Sequence, residues 1–320
     1  MTRVVIIGGS GHVGTYLVPR LVEAGFAVVN VARGKREPYS PHAAWARVRT
    51  VIADREAEEK AGTFGPRVRD LKPDIVIDMI CFTLASAQHL TEALSGSVRQ
   101  FLHTGTIWVH GPSAVVPTTE MQPRNPFGSY GIQKAAIEAY LLDEARRSGF
   151  PATILHPGHI VGPGWSPVNP AGHFNPAAFS TIAQGRELAL PNLGMETVHH
   201  VHADDVAQIF MKAIANWSTS VGEAFHVVSP AAVTLRGFAE AMAAWFGKAP
   251  NLTFLPWSEW KARQTSEEDT EATWSHIAHS PNSSIAKAER LLDYRPRYSS
   301  LQAVQESVTW LIGAGLVKTA

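Results

Sequence analysis

The sequence predicts an α/β fold, a doubly wound parallel sheet joined to a smaller, mostly helical C-terminal domain. Two observations predict it: apolar strand-like segments alternate with helical segments as far as Leu155, and a glycine-rich turn directly follows the first of them. Strands that alternate with helices form a parallel sheet covered on both faces. Ligands of such sheets bind beyond the carboxyl ends of the strands, where the strand order reverses.

Six apolar segments predict the strands of this sheet. They are Val4–Ile7, Ala27–Val31, Val48–Ile52, Ile75–Asp78, Gln100–Thr104 and Ala152–Leu155. Apolar residues at helical spacing lie between them, as at Val13, Leu17 and Leu21. Pro19 falls inside this first helix and removes a hydrogen bond there, so we expect a local bend.

The regular alternation stops after Leu155. His156–Pro176 contains five prolines and four glycines, which predicts an irregular connection near a site. A helix is predicted from about Ala203, and one more strand at Phe225–Val228. We therefore predict two domains. The first comprises residues 1–164 and 198–228, and the lid domain comprises residues 165–197 and 229–320.

Composition limits the classes of partner and compartment. Lysine plus arginine equals aspartate plus glutamate at 28 each, so no basic field is expected to recruit nucleic acid. The single cysteine, Cys81, excludes internal disulfides and fits a reducing cytoplasm. The chain enters a strand at once, without room for a signal peptide, and has no bilayer-length apolar run. We expect a cytoplasmic protein without a membrane partner.

The glycine-rich turn predicts a Rossmann-type dinucleotide site. Gly8 permits a tight turn, Gly11 lets the backbone approach a pyrophosphate, and Gly14 lets the helix pack close to the strand. The pyrophosphate would then meet the free N–H groups of the helix. The residues expected to contact the dinucleotide here are Gly8, Ser10, Gly11, His12, Val13 and Gly14. The first domain is thus predicted to bind the dinucleotide, and the lid domain its substrate.

The end of the second strand favours NADP over NAD. An NAD site usually places an acid there, but Asn30–Arg36 contains none and carries three cations. Arg33 could bind a 2′-phosphate bidentately, and Lys35 would add charge. Asp54, after the third strand, is placed either to contact adenine or to cap a turn.

Tyr130 and Lys134 predict proton transfer. On a helix they lie one turn apart on the same face. The ammonium would favour tyrosinate and lower the pKa of Tyr130 toward the working range. The phenol could then exchange a proton with a substrate hydroxyl or carbonyl while hydride moves to or from a nicotinamide.

Nearly the whole chain resembles the extended short-chain dehydrogenase/reductase superfamily, in its branch of NAD(P)-dependent epimerases and dehydratases. The segments that carry the resemblance are Gly8–Gly14, Phe101–Gly111, Tyr130–Lys134, Gly162–Gly164, His202–Ala207, Ile285–Ala288 and Tyr294–Pro296.

The resemblance implies roles for further residues. Thr106 matches the hydroxyl residue that orients the substrate oxygen, and Lys134 would also hold the nicotinamide ribose. Ile80 and Pro157 would line the cofactor site. It further implies a homodimer formed by the helix of Tyr130, whose alanine-rich face suits close packing. That face comprises Ala135, Ala136 and Ala139.

The substrate is less well defined. Sugar-nucleotide members of the family carry an asparagine and an arginine where this chain has His159 and Val198, and these substitutions weaken a nucleotide-sugar assignment. Ile107 and Trp108 replace the acidic pair of the dehydratases, so no elimination step is expected. The candidate substrate contacts are Trp108, His159, Asn175 and His199.

Three functions remain open. The first is hydride transfer at a carbinol or ketone of a sugar or sugar-nucleotide-like substrate, as in an epimerase, with Tyr130 as acid or base. The second is an NADPH-dependent reductase of a small carbonyl compound. The third is a non-catalytic redox sensor or RNA-associated protein. No metal site is predicted, since no cysteine or carboxylate completes a ligand set with His199, His200 and His202, and Cys81 is interpreted as a packed hydrophobe.

Overall fold

The computed structural model describes residues 1–319, which form a seven-stranded parallel sheet and three short two-stranded sheets. The strands of the large sheet, numbered along the whole chain, are β1 (Arg3–Ile7), β2 (Ala27–Ala32), β3 (Arg49–Ile52), β4 (Ile75–Asp78), β5 (Gln100–Thr104), β6 (Ala152–Pro157) and β11 (Ala224–Val227). Their order is β11-β6-β5-β4-β1-β2-β3. The predicted parallel α/β fold is confirmed, because each predicted strand overlaps an observed one.

The short sheets are pairs of strands from the second half of the chain. They are β7 (His159–Val161) with β10 (His200–His202), β8 (Leu188–Pro191) with β13 (Leu252–Leu255), and β9 (Thr197–Val198) with β12 (Val233–Thr234). The prediction of an irregular segment over His156–Pro176 is wrong at its start. There β6 continues to Pro157 and β7 pairs with β10, because both strands find parallel partners far along the chain.

Thirteen α-helices complete the described residues. They are α1 (His12–Glu23), α2 (Arg55–Lys60), α3 (Phe64–Asp70), α4 (Leu84–Leu94), α5 (Gly128–Arg147), α6 (Ala177–Ala183), α7 (Ala203–Ala215), α8 (Trp217–Ser220), α9 (Leu235–Trp245), α10 (Trp257–Ala262), α11 (Glu267–His279), α12 (Ala286–Leu292) and α13 (Ser300–Gly313). Two 3-10 helices span Ala43–Arg47 and Ile107–His110. Across residues 1–319, no helix combines the length and the apolar character needed to cross a membrane.

Helices cover both faces of the sheet because successive strand residues point in opposite directions. In β1, Val4 and Ile6 join the core formed with α1, α7 and α12. Val5 and Ile7 join the opposite core, formed with α3, α4 and α5. This arrangement explains why the strands are apolar throughout instead of alternating with polar residues. Pro19 lies inside α1, and the expected bend there stays a prediction.

A third core lies in the C-terminal part of the chain. It joins α6, α9, α10 and α13 through side chains such as Phe179, Phe238, Trp260 and Val308. Leu292 of α12 instead packs in the core of the large sheet, although α12 falls within the predicted lid domain. The exact domain boundaries remain predictions.

Histidine is unusually common among the buried polar residues. Burial lowers the pKa of His12, His110, His199 and His276 to about 4, and that of His200 to about 3. Each of these residues is at most 6% exposed. The folded protein therefore holds these imidazoles neutral at pH 7, and most of them pack against aromatic rings or accept hydrogen bonds.

We predict that the protein loses stability steeply in weak acid. The unfolded chain takes up protons on its histidines as the pH falls through about 6.5, whereas the folded protein does not until about pH 4. Each such residue contributes a slope of up to about 1.4 kcal/mol per pH unit. Urea unfolding should show the free energy of unfolding falling by about 3 kcal/mol or more from pH 6.5 to pH 5.

A variant of an exposed histidine supplies the control for this measurement. His42 is 43% exposed, so His42→Gln should leave the slope unchanged. A flat stability profile between pH 6.5 and pH 5 would contradict the assignment of these histidines as neutral groups.

Candidate active site

A large cavity lies at the carboxyl ends of the central strands. Its volume is about 970 Å³. The chain runs outward from β1 through β2 to β3 and then returns to place β4 on the other side of β1, so the cavity lies where the strand order reverses. Seven residues predicted to contact the cofactor line it: Gly8, Ser10, Gly11, Arg33, Lys35, Asp54 and Ile80.

The glycine turn has the geometry of a dinucleotide cradle. Gly8 adopts φ +89°, and a Cβ there would lie 2.8 Å from the side chain of Ile80. A Cβ on Gly14 would lie 1.8 Å from the carbonyl oxygen of Gly9, so only glycine allows α1 to pack this close. Gly11 precedes α1 and borders the cavity, where its helix presents free N–H groups. These residues fit a dinucleotide pyrophosphate.

The other five predicted cofactor residues, which include Lys134, lie outside the lining of this cavity. The His12 ring stacks on Trp165, with centroids 5.0 Å apart, and the Val13 side chain is buried in the core. Gly14 packs against Gly9, and Pro157 is buried at the end of β6. The contact of His12 with the dinucleotide stays a prediction, although the Trp165 indole covers its ring.

The cavity is also lined by charged residues that the sequence did not identify, among them Arg55. Arg55 is 9% exposed, and its guanidinium donates to Asp78 and to Glu59, both at 2.7 Å. Asp54 caps α2 by accepting from the backbone N–H of Ala57 at 3.2 Å, while it also lines the cavity. Both roles considered for Asp54 are thus compatible with its position. No motif marks Arg55, since it begins α2 and its partner Asp78 ends β4, more than 20 residues further along the chain.

Lys134 is held by main-chain oxygens beneath the site. It is 2% exposed, and its Nζ donates to the carbonyl oxygens of Cys81 and Thr104, both at 2.7 Å. One N–H of the ammonium remains for a ligand. Burial lowers the pKa of Lys134 to about 8, against the opposing effects of Cys81 and Asp78. The ammonium form therefore predominates at neutral pH.

Tyr130 meets Thr106 at the carboxyl end of β5. Although 42% of the tyrosine is exposed, its hydroxyl end is desolvated, and this burial raises the pKa of Tyr130. A hydrogen bond with the Thr106 hydroxyl opposes that shift. The Nζ of Lys134 lies 6.0 Å from the phenol ring centroid. The expected lowering of the Tyr130 pKa by Lys134 is thus wrong for the protein alone, because the ammonium points at carbonyls.

An aromatic wall adjoins Tyr130 on the lid side. Trp108 contacts the Tyr130 ring edge-on, with centroids 6.1 Å apart, and stacks on His279 at 4.1 Å. Phe127 stacks on His279 at 4.0 Å. The wall consists of Trp108, Phe127, His159, His276 and His279. Phe127, His276 and His279 were not predicted, since no motif marks Phe127 and none links α11, which carries the two histidines, to the site.

Burial keeps the histidines of the aromatic wall neutral. It lowers the pKa of His159 and of His279, and that of His276 to about 4. The Nε2 atoms of all three rings have no hydrogen-bond partner within the described chain. Over residues 1–319, the only cation stacked on Trp108 or Tyr130 is Lys134. The wall next to Tyr130 is therefore aromatic and uncharged, and these three ring nitrogens are themselves buried.

Two of the predicted substrate residues lie elsewhere. His199 is fully buried, and its ring nitrogens bond to Ser229 and Ser283. Asn175 lies just before α6, where its Oδ1 accepts from the Ala177 N–H at 3.0 Å and its Nδ2 donates to Asp269 at 3.0 Å. His199 is therefore a packing residue and does not line the site. Trp108 does contact Tyr130, and His159 contacts Trp108. Val198 is buried in the third core, so no phosphate-binding side chain replaces the missing arginine there.

Two groups of residues bear on metal binding. The rings of His199, His200 and His202 bond to separate partners, so they do not converge on one point. The ligand atoms of Asp78, Cys81 and His103 do lie within 4.8 Å of one another. Arg55 already donates to Asp78, and burial raises the pKa of the Cys81 thiol to about 12, which disfavours the thiolate that a metal needs.

Comparisons with known proteins agree with this site. Residues 4–227 match the family model described as the NAD dependent epimerase/dehydratase family. A 2′-dehydrokanamycin reductase of Streptomyces kanamyceticus is 27% identical, over 99% of this chain and 87% of the relative. A UDP-glucose 4-epimerase of Mycolicibacterium smegmatis is 26% identical, over 79% and 86%. A chloroplast stem-loop binding protein of Arabidopsis thaliana is 22% identical, over 98% and 80%.

Solved structures share the fold. The UDP-glucose 4-epimerase of Thermotoga maritima, determined with UDP-glucose, superposes with a TM-score of 0.73 at 19% identity. The match covers 98% of this chain and 99% of that one. The similarity of fold therefore extends over nearly the whole chain.

Proposed function

The chain belongs to the NAD dependent epimerase/dehydratase family, and we propose that it transfers hydride between NADP(H) and the carbinol or ketone of a sugar-like substrate, with Tyr130 as the acid or base. The observation that carries this proposal is the convergence of three side chains beside the glycine-turn cavity. Thr106, Tyr130 and Lys134 come from β5 and α5 and meet at one edge of the sheet. A phenol, a hydroxyl and an ammonium are the groups needed to move a proton at a carbonyl oxygen.

The protonation of this site favours reduction. Burial raises the pKa of Tyr130, so the phenol holds its proton at neutral pH and can donate it to an oxygen that gains negative charge. Thr106 orients that oxygen through its hydroxyl. A nicotinamide dinucleotide supplies the hydride when bound. The free N–H of Lys134 would hold its ribose.

The cations of the cavity support NADP. Arg33 and Lys35 line it at the end of β2, where no acid is available to bind a ribose 2′-hydroxyl. A guanidinium binds a phosphate bidentately and so discriminates NADP from NAD. The proposed choice of NADP over NAD therefore depends on these two cations.

We predict that Arg33→Ala weakens the binding of NADPH by about 10- to 100-fold, because it removes one or two charge-assisted hydrogen bonds. The dissociation constant for NADH should change by less than about twofold. Fluorescence titration with each cofactor measures both constants. Arg47 is exposed on a 3-10 helix outside the cavity lining, so Arg47→Ala is the matched control. Equal losses for the two cofactors would contradict the assignment.

The aromatic wall supports a substrate without phosphate. Aromatic rings bind the apolar faces of sugar rings, and the neutral imidazoles of this wall place no charge beside them. A diphosphate needs cations instead, and Val198 replaces the arginine that sugar-nucleotide enzymes would use. The relative named 2′-dehydrokanamycin reductase also acts, by its name, on a dehydro compound that is not a nucleotide sugar. We therefore favour a keto sugar or glycoside.

We predict that NADPH oxidation occurs with a panel of unphosphorylated keto sugars and glycosides, and that Tyr130→Phe lowers kcat by about 10²- to 10⁴-fold because it removes the proton donor. Tyr140 lies further along α5 and packs away from the site, so Tyr140→Phe is the control and should keep full activity. Full activity of Tyr130→Phe on a turned-over substrate would overturn the assignment.

Adding UDP-sugars to the panel tests a second candidate function. The relatives named UDP-glucose 4-epimerase favour epimerisation of a nucleotide sugar. Interconversion of UDP-sugars without net use of cofactor would support that function and contradict the keto-sugar reductase. Specific binding of a stem-loop RNA without any turnover would instead favour a role like that named for the Arabidopsis relative.

We also propose that the chain forms a homodimer through α5. Ile132 is 50% exposed and Ala139 is exposed on this helix, while Ala135 and Ala136 are half-buried. Small side chains allow two helices to approach closely.

Light scattering should therefore give twice the mass of the chain, and Ala139→Glu should halve it by placing a charge in the interface. Ala46→Glu, at an exposed position of the first 3-10 helix, should leave the mass unchanged. A monomeric wild-type protein would exclude this dimer.

A further inference from the structure

His156 lies directly behind the Thr106 backbone. Its Nδ1 accepts a hydrogen bond from the Thr106 N–H at 2.9 Å, and the ring is fully buried at the end of β6. Because Nδ1 is an acceptor, the ring proton resides on Nε2. That nitrogen lies 3.2 Å from the Oε1 of Glu138 and faces the carboxylate without an aligned hydrogen bond. The imidazole thus joins the end of β5 to α5.

Glu138 is fixed in turn by an arginine. Arg124 donates to its two carboxylate oxygens, at 3.0 Å and 2.5 Å. Arg124 also donates to the carbonyl oxygens of Glu120 and Gln122, both at 2.7 Å. Burial would raise the pKa of Glu138, but His156 and Arg124 together hold it well below its usual range. The carboxylate is therefore charged and immobile at neutral pH.

The position of Glu138 on α5 gives this chain of contacts a functional meaning. It lies one turn after Lys134 and two turns after Tyr130 on the same helix. The contacts from Thr106 through His156 to Glu138 therefore link the strand that carries the site hydroxyl to the helix that carries the phenol and the ammonium. A change in this link would alter the separation of the two hydroxyl groups, and displacements of about 1 Å cost up to about 100-fold in rate.

Gly105 gives independent evidence that the fold makes room for the His156 ring. A Cβ on Gly105 would lie 2.3 Å from the Nδ1 of His156, so any other residue would push the imidazole away. The backbone of Gly105 also donates to the Leu155 carbonyl oxygen at 2.7 Å. A glycine directly before Thr106 thus makes room for the ring that binds Thr106.

We propose that His156 and Glu138 are positioning residues, which set the geometry of Thr106 relative to Tyr130. This inference rests on the proposed function of that site. Neither side chain touches the reacting atoms, since both are buried behind the strand end. The separation that they maintain determines whether one substrate oxygen can meet both hydroxyl groups.

Two variants of His156 separate positioning from simple packing. His156→Asn keeps a hydrogen-bond acceptor near the Nδ1 position and loses the contact with Glu138, whereas His156→Leu loses both. Glu138→Gln removes the charge and keeps the shape. The exchange rate of the Thr106 amide, measured by hydrogen exchange at residue resolution, reports the hydrogen bond without any substrate. We expect exchange about tenfold faster in His156→Leu and close to wild type in His156→Asn.

Turnover of the keto substrate from the panel gives the second readout. We expect kcat to fall about 100-fold in His156→Leu and about tenfold in His156→Asn and Glu138→Gln, with KM and NADPH affinity within twofold. Glu144→Gln is the control on the same helix, because the Glu144 carboxylate bonds to Ser148 at the C-terminal end of α5. A merely structural role would lower the melting temperature and the cofactor affinity and leave kcat unchanged in the folded fraction.

The outcomes also separate this inference from the proposed function. If Tyr130→Phe loses activity but His156→Leu keeps kcat within twofold and an unchanged Thr106 exchange rate, the positioning inference is wrong and the proposed function stands. If Tyr130→Phe stays active, the proposed function fails. The exchange rates of the Thr106 amide would then still decide whether His156 holds that backbone.

Discussion

The parallel pairing of the seven strands is the constraint on which the rest of the structure depends. Because every strand of the large sheet runs the same way, every carboxyl end opens onto one edge. The glycine turn after β1, the basic loop after β2, the capped helix after β3 and Thr106 after β5 are brought together there. Residues that are far apart in the chain therefore lie close together at this edge.

Desolvation then determines the chemistry at that edge. Main-chain carbonyls hold Lys134 below the surface, and burial lowers the pKa of its ammonium to about 8 while it raises that of the Tyr130 phenol. The same effect makes the histidines of the aromatic wall neutral. A protonated phenol beside uncharged rings is suited to reduction of a neutral ketone, whereas a diphosphate would require cations that the wall lacks.

The predictions succeeded where local sequence determines local geometry. The strands, the Gly8 turn and the close packing at Gly14 follow from apolar periodicity and from backbone sterics, and these depend on neighbouring residues only. The sequence did not determine the direction in which an individual side chain points. His12 follows the glycines directly, yet its ring stacks on Trp165 from a distant segment, and His199 bonds to two serines far along the chain.

The sequence by itself determined the parallel fold, the glycine turn, the one-turn spacing of Tyr130 and Lys134 and the basic loop after β2, because each depends on periodicity or on spacing within one helix turn or strand end. Thr106 was added to this pair by the family resemblance. Only the tertiary structure decided the protonation of Tyr130, the aromatic wall from α11 and the contacts that join Thr106 through His156 to Glu138. These depend on burial and on pairs of residues that packing brings together, and neither quantity can be read from the order of residues along a chain.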